Sequence, residues 1–301
     1  MAQVKKTLKL PTVSIITPTY NQSNFIQATI DSVLKQDYPC IEYIVVNDGS
    51  TDETKNVLKD YVDFITVINR NNCGQSQSLN YGWTISKGEI LAYISSDDLL
   101  DDKCVSKAVD FLLNHPDFDI VYPDFSLIDR YGKKIKDVRT GDFDESKMRC
   151  DLICLPGPGA FFKRSVFDDL QGWDESLSYV ADFDFWLRAL KTKKFGKINE
   201  VLASFRVHEE SGLVKSVSVS KSDEIISLVQ DRITTTCSGA LANAFLISAK
   251  NHLRSGRYGY FGVRIFSAFV KNPLVIFKIF FWKMLFSGIL RKSFYRLAKR
   301  I

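Results

Sequence analysis

The sequence predicts an α/β fold, with a doubly wound, mostly parallel sheet and a helical, basic C-terminal extension. Short apolar runs alternate with amphipathic segments of helical period up to Leu113, which is typical of a parallel sheet with crossover helices. The 301 residues, 45% of them hydrophobic, are enough to bury a large core. Every Asp and Glu lies before residue 232, so the end of the chain differs in charge from the rest.

Four strand and helix pairs are predicted in order. The strands are 13–17, 41–46, 64–68 and 90–94, and the helices are 25–34, 51–61, 76–86 and 105–113. Further strands are predicted at 119–122 and 125–129. Because right-handed crossovers place the carboxyl ends of parallel strands on one rim, Thr19, Asn21, Asp48 and Asp97 should all lie there.

Charge divides the chain into two predicted domains, 1–231 and 232–301. The second contains thirteen Lys or Arg and no acid, which leaves a net charge of −8 for the first out of +5 for the whole chain. The first ten residues lack the apolar core of a secretory signal, so we expect a cytoplasmic protein. Six scattered cysteines form no paired framework, and we expect them to be reduced thiols.

Two adjacent carboxylates, Asp97 and Asp98, follow the apolar run 90–94. At the carboxyl end of a strand, paired acids can hold a hard cation. Ser96 and both acids are also good N-caps for the next helix. The shared rim with Asp48 favours a metal site, with Asp97 as the preferred ligand, whereas Asp98 is either a second ligand or the cap.

Five motifs follow one another along the chain: Thr17-Pro18-Thr19-Tyr20-Asn21, Val46-Asn47-Asp48-Gly49-Ser50-Thr51-Asp52, Ser95-Ser96-Asp97-Asp98, Gly172-Trp173-Asp174-Glu175 and Ala181-Asp182-Phe183-Asp184-Phe185-Trp186-Leu187-Arg188. This series resembles the family 2 glycosyltransferases, bacterial polysaccharide-biosynthesis type, over residues 11–210. The resemblance implies the glycosyltransferase A fold and transfer of a sugar from a nucleotide sugar with inversion. It makes 1–231 the catalytic domain.

The resemblance implies a nucleotide-binding site at the rim. Its matching positions are Thr17, Pro18, Thr19, Tyr20, Asn21, Asp48, Ser96 and Asp97. Tyr20 would pack on the base or ribose, and Asp48 would accept a hydrogen bond from the imide N–H of uracil or thymine, a donor that suits a carboxylate. The alternatives are a core position for Tyr20 and a plain turn at 47–50.

The resemblance also implies Mg²⁺ or Mn²⁺ as a cofactor. Asp97 would bind it together with the diphosphate, and Asp98 and His208 are the other candidate ligands. Ser95 stands where the family has the first acid of its Asp-x-Asp motif. We therefore expect metal and nucleotide sugar to bind together.

Asp182 matches the family's general base, which takes the proton from the acceptor hydroxyl. One carboxylate on that face gives inversion. The positions predicted near the donor or acceptor sugar are Gly159, Trp173, Asp174, Asp184 and Arg188. Asp184 is the rival base, and the alternatives are a bland loop around Gly159, a core position for Trp173 and a solvent-facing Arg188.

Large apolar residues and cations mix throughout 252–301. Lys278 and Lys283 interrupt the longest apolar stretch, which is thus too short for a spanning helix of ~20 residues. The pattern is typical of helices lying in the plane of an anionic membrane surface. Packing on the catalytic domain is the alternative, and nucleic-acid binding is ranked last because the region is too apolar.

We therefore expect a cytoplasmic enzyme, peripheral on the inner face of the cell membrane. It would move a sugar from a UDP- or TDP-sugar to a hydroxyl of a lipid-linked or surface-polysaccharide acceptor, without a nucleic-acid partner, and a homo-oligomer stays open. The alternatives are a nucleotide-sugar-binding or scaffold protein without transfer activity, to which Asn47, Ser95 and Ala181 point, and a nucleotidyltransferase.

Overall fold

A computed structural model of the protein describes residues 10–209, 211, 216–233, 237 and 239–277. Contacts divide the chain into two units. The first comprises Met1–Phe143, Leu155–Glu175 and Arg188–Val207, and the second Asp144–Cys154, Ser176–Leu187 and His208–Ile301. These units differ from the division at residue 231, which rests on charge and stays a prediction. Residues 278–301, where much of the predicted membrane region falls, lie outside the described residues.

Within the described residues, the first unit is built on a nine-stranded sheet in the order β3-β2-β1-β4-β8-β6-β9-β5, with β7 paired to β6. The strands are β1 (Val13–Thr19), β2 (Ile41–Asp48), β3 (Thr66–Arg70), β4 (Ile90–Tyr93), β5 (Leu99–Leu100), β6 (Ile120–Ile128), β7 (Lys134–Val138), β8 (Phe161–Lys163) and β9 (Phe195–Arg206). The helices are α1 (Ile26–Leu34), α2 (Thr54–Lys59), α3 (Gln75–Ile85), α4 (Cys104–Asn114), α5 (Glu145–Arg149), α6 (Arg164–Leu170), α7 (Ala181–Ala189), α8 (Val219–Arg232), α9 (Ala240–Arg254) and α10 (Tyr258–Lys271), and a 3₁₀ turn follows at Pro273–Phe277.

The predicted α/β class and the four strand and helix pairs are confirmed. Strands β3, β2, β1 and β4 are mutually parallel, and the antiparallel pairs of β8, β5 and β7 make the rest of the sheet mixed. The strands predicted at 119–122 and 125–129 are one strand, β6, whose register with β9 shifts at Pro123. Proline lacks the N–H that a regular ladder needs, so it accounts for the predicted break.

The core of the first unit lies where helices cover the parallel strands. All seven residues of β1 are buried, as a strand covered on both faces requires. Ile30 and Val33 of α1 and Val105 and Val109 of α4 belong to the same apolar cluster. On the other face, a Cβ at Gly82 of α3 would come 2.4 Å from Cγ2 of Ile16, so only glycine allows this approach to β1. Burial on both faces leaves the carboxyl ends of β1, β2 and β4 as the rim.

The second unit contains α8, α9 and α10, with α9 packed on both of the others. Asp223 of α8 accepts hydrogen bonds from Ser248 Oγ and from Arg264 Nε, the latter at 3.0 Å. The expectation that all cysteines are reduced is wrong for one pair, because Cys150 and Cys237 form a disulfide. Their separation of 87 residues hid the pairing, which depends on tertiary structure. No helix in the described part of the chain is long and apolar enough to cross a membrane.

Candidate active site

The loops after β1 and β2 are bonded to each other through Asn21, whose φ of 53° is in the left-handed region. Its backbone N–H donates to Ser50 Oγ at 3.0 Å, and its Oδ1 accepts from the N–H of Thr51 at 2.8 Å. Next to it, Gln22 N donates to Thr54 Oγ1 at 2.8 Å. Two loops predicted to share a rim therefore form one braced surface.

The residues of the motif 17–21 differ in burial. Thr17 and Pro18 are buried in β1, and the Thr17 hydroxyl hydrogen-bonds the Tyr43 hydroxyl at 3.0 Å. Their place in a nucleotide pocket stays a prediction. Tyr20, in contrast, is 45% exposed, which excludes its alternative core position. The Thr19 hydroxyl is buried, and the described residues offer it no hydrogen-bond partner.

The Asp48 carboxylate, at the end of β2, bonds the loop that leads into α3. Oδ1 accepts from the backbone N–H of Cys73 at 2.9 Å, from its thiol at 3.2 Å and from Ser78 Oγ at 2.8 Å, and Oδ2 accepts from Gly74 N at 2.9 Å. A carboxylate offers about four acceptor sites. The predicted bond to a base edge would therefore compete with four donors already in place.

The side-chain amide of Asn47, at the position where the family has an acid, makes two different hydrogen bonds. Its Oδ1 accepts from Ser50 N at 3.1 Å, and its Nδ2 donates to Asn69 Oδ1 at 2.8 Å. A carboxylate could make only the first of these bonds, because it has no N–H to donate. The amide therefore joins the ends of β2 and β3 as well as the turn.

The Asp97 and Asp98 pair follows β4 and differs in burial: Asp97 is half-buried and Asp98 only 3% exposed. The alternative that Asp98 caps the next helix is wrong, because β5 intervenes and α4 begins only at Cys104. Oδ1 of Asp98 instead accepts from the backbone N–H of Arg206 at 2.9 Å. Burial, and next the charge of Asp97, raise the pKa of Asp98 well above its usual value.

Arg206 at the end of β9 organises this pair, a role that the sequence analysis missed. Its side chain is buried, with Nε donating to the Asp97 carbonyl at 2.7 Å and Nη1 to the Asp129 carbonyl at 3.2 Å. Its guanidinium also lies 5.3 Å from the ring centre of Phe25. The signal in the sequence was a cation directly after the mostly apolar run 201–205, because a buried cation needs partners.

Asp97 and Asp98 fit a hard divalent cation that takes its remaining oxygens from phosphate and water. The described residues hold no cluster of three or more His, Cys, Asp or Glu suited to a metal, so a full protein cage is not present there. His208, the third predicted ligand, belongs to the second unit. It is buried, and its backbone N–H and C=O both bond the hydroxyl of Ser211.

The loop Gly172–Glu175 is held from two sides. Asn80 bonds both the N–H and the C=O of Trp173, and Arg188 donates to the carbonyls of Leu170 and Gly172 at 2.7 and 2.6 Å. Arg188 thus positions the loop, and this contradicts the alternative that Arg188 faces solvent. Asp174, which follows these anchored residues, is half-buried.

Trp173 and Gly159 are both closely packed, and their roles at a sugar stay predictions. Trp173 is 6% exposed, with its ring centre 5.1 Å from that of Tyr93. It is therefore a core residue, as its alternative interpretation expected, and not an open platform. Among the described residues, its indole N–H has no acceptor. A Cβ at Gly159 would come 3.0 Å from Ala203 Cβ and 3.3 Å from Cys104 Sγ, so packing requires glycine there.

In the second unit, Asp182 and Asp184 lie in the first turn of α7 in different surroundings. Asp182 is half-buried, and one oxygen accepts from Phe183 N at 2.8 Å. Burial raises its pKa, although that hydrogen bond acts in the opposite direction. Asp184 is fully buried and pairs with Arg232 Nε at 3.1 Å. The two acids thus separate into one accessible to a substrate and one in a structural ion pair.

The sequence of this chain is similar to those of known proteins. Residues 14–171 match the sequence model of the family described as Glycosyl transferase family 2. An uncharacterized glycosyltransferase of Rickettsia typhi is 35% identical over 215 residues, which cover 68% of this chain and 67% of that protein. A chondroitin synthase of Escherichia coli is 27% identical, over 71% of this chain but 31% of its own length.

Solved structures share the fold at lower identity. Residues 1–349 of S. aureus TarS, in complex with UDP-GlcNAc, superpose with a TM-score of 0.59 at 16% identity, covering 85% of this chain and 90% of that one. The mannosyltransferase PcManGT from Pyrobaculum calidifontis, in complex with GDP-Man and Mn²⁺, gives 0.56 at 16%, covering 94% and 87%. At these identities the likeness concerns the fold alone.

Proposed function

Because the chain belongs to glycosyl transferase family 2, we propose that it transfers a sugar, with inversion, from a nucleoside diphosphate sugar to an acceptor hydroxyl. The observation that carries this proposal is the rim of the first unit, where loops braced through Asn21 lie beside strands that end at Asp48 and lead to Asp97. Open α/β sheets bind their ligands at that edge.

The donor is proposed to be a UDP- or TDP-sugar. The exposed ring of Tyr20 offers a surface for the base or ribose, and the buried Thr19 hydroxyl would gain a partner on binding. The complex of TarS with UDP-GlcNAc supports a uridine donor, whereas that of PcManGT with GDP-Man shows that the shared fold accepts a different base. Asp48 would act mainly by holding the loop of Cys73 and Gly74, which borders the same rim.

Asp97 and Asp98 would hold Mg²⁺ or Mn²⁺ together with the diphosphate. When bound, the cation supplies positive charge against the departing diphosphate. The raised pKa of Asp98 supports joint binding, because a buried acid beside Asp97 ionises more readily once a positive charge is close. The Mn²⁺ in the PcManGT complex supports the same choice of metal.

Asp182 is proposed to accept the proton of the acceptor hydroxyl as that oxygen attacks the anomeric carbon. A raised pKa makes its carboxylate a stronger base, and its partial exposure leaves it accessible to a substrate. Asp184 is the weaker candidate, because its carboxylate is buried against Arg232. The similarity to a chondroitin synthase supports a glycan acceptor, either lipid-linked or part of a surface polysaccharide.

The decisive experiment measures nucleotide release from a panel of UDP-, TDP- and GDP-sugars, with Asp182→Asn beside the wild type. Transfer predicts nucleoside diphosphate release by the wild type, and loss of turnover with intact donor binding in the variant. Asp169→Asn is the matched control, because that exposed acid pairs with Lys193 and its loss should not affect turnover. Donor binding without release would identify a binding or scaffold protein, and release of a nucleoside triphosphate that requires added pyrophosphate would identify a nucleotidyltransferase.

A further inference from the structure

Helix α10 uses one of its faces to pack within the second unit. Phe261, Ile265 and Ala268 recur at helical spacing and contact an apolar cluster that includes Ala242 and Leu246 of α9. This inner face accounts for the folding of the helix. It leaves the opposite face without a structural task inside the described part of the unit.

The outer face of α10 is nevertheless apolar. Val263, Phe266 and Val270 are three and four residues apart, which puts them in one stripe, and they are 58%, 69% and 60% exposed. Leu274, in the following turn, is 68% exposed. We call these four residues the α10 stripe. Exposed apolar patches of this kind mark interaction sites.

The charge of the neighbouring chain indicates which kind of partner would cover the α10 stripe. Residues 240–301 contain twelve Lys or Arg and no acid, so a second copy that docked through the same region would bring the same positive charge to the contact. The segment 278–301 is an equally poor match, since seven of those cations belong to it. An anionic surface would attract all twelve of these cations.

The length of α10 decides how it would lie on such a surface. Its 14 residues span about 21 Å, shorter than the hydrocarbon thickness of a bilayer. Its side chains are apolar along the stripe, and the exposed Lys271 stands at its end. We propose that the α10 stripe docks in the plane of an anionic membrane, with its apolar side chains in the acyl boundary and Lys271 at lipid phosphates.

The test is flotation of the full-length protein with phosphatidylcholine vesicles, with and without phosphatidylglycerol. The wild type should float with the anionic vesicles only, and less so at high salt. Phe266→Ser should weaken binding about tenfold, because phenylalanine is among the side chains whose burial is most favourable. Phe64→Ser is the matched control, since Phe64 is 71% exposed in the first unit. Thermal unfolding and nucleotide release should be unchanged in both variants.

Three results would overturn the proposal. They are absence of the wild type from anionic vesicles, equal binding to neutral vesicles, and equal binding of the wild type and the double variant Phe266→Ser/Val270→Ser. A concentration-dependent dimer that Phe266→Ser dissociates, without vesicle binding, would assign the stripe to a second copy instead. Because nucleotide release is measured separately, failure here leaves the proposed transfer reaction standing, and the reverse also holds.

Discussion

The carboxamide of Asn80 bonds both backbone groups of Trp173. Nδ2 donates to the Trp173 carbonyl at 2.8 Å, and Oδ1 accepts from the Trp173 N–H at 2.8 Å. Gly172 completes the contact, because a Cβ there would come 2.3 Å from Asn80 Oδ1 and its φ is +76°. A side chain of α3 thus determines the path of the loop that carries Asp174.

Replacing Asn80 should loosen this loop. We expect Asn80→Ala to lower the free energy of unfolding by about 1–3 kcal/mol, since it leaves two backbone groups of Trp173 without partners. The KM for a sugar substrate should rise more than kcat falls, because the loop orients rather than reacts. Asn56→Ala is the control, as the side chain of Asn56 bonds the exposed side chains of Glu53 and Lys59. Steady-state kinetics and thermal unfolding check both variants, and a wild-type KM in Asn80→Ala would contradict the positioning role.

Removal of the proposed metal ligand Asp97 should abolish metal-dependent turnover. We expect Asp97→Ala to reduce nucleotide release by about a hundredfold or more, because a Lewis acid contributes several kcal/mol to such reactions. EDTA should do the same to the wild type, and added Mn²⁺ or Mg²⁺ should restore it. Asp102→Ala, an exposed acid in the following loop, is the control. Full turnover in EDTA would disprove the metal requirement.

The raised pKa of Asp182 predicts a pH dependence. A base must be ionised to accept a proton, so kcat/KM should fall as pH drops through the pKa of Asp182. Because burial raises that pKa, the fall should begin at a higher pH than for an exposed carboxyl. The pH profile of the wild type checks this, and Asp182→Glu should retain an acid limb at a shifted position. Turnover by Asp182→Asn at the wild-type rate would move the base to another residue.

Asp124 on β6 should contribute to stability through Lys197 on β9. Burial alone would raise its pKa, but hydrogen bonds from Lys197, Arg139 and Thr140 lower it to about 2. A lowered pKa adds stability that is present above the usual carboxyl pKa and lost as pH falls towards 2. Linkage gives at most about 2 kcal/mol, less at high salt because Arg139 is 62% exposed.

Substitution of Asp124 tests the contribution of its ion pair with Lys197. Asp124→Asn should cost about 3 kcal/mol, because it leaves the buried ammonium of Lys197 without its anion. Glu200→Gln breaks the exposed pair with Lys107 and should cost less than about 1 kcal/mol. Chemical denaturation at neutral pH and near pH 3 compares the two, and equal costs would contradict the burial argument.

The strands and the membership of the family could be read from the sequence because their signals are local. The β-branched run at 13–17, its stop at Pro18 and the turn Asn47-Asp48-Gly49-Ser50 each depend on a few adjacent residues. Parallel pairing then brings their ends together by general rules of sheet topology. The rim and its candidate acids therefore followed without coordinates.

Tertiary structure alone decided which partner each polar side chain has. Asp98 meets Arg206 across 108 residues and Cys150 meets Cys237 across 87, and nothing local to either residue encodes the other. Burial of Trp173 depends likewise on Tyr93 and Trp83 from distant elements. The sequence by itself determined the fold class, the family and the residues at the rim. Because hydrogen bonding and burial are properties of the assembled structure, only the fold decided which of them face a substrate and which hold the site together.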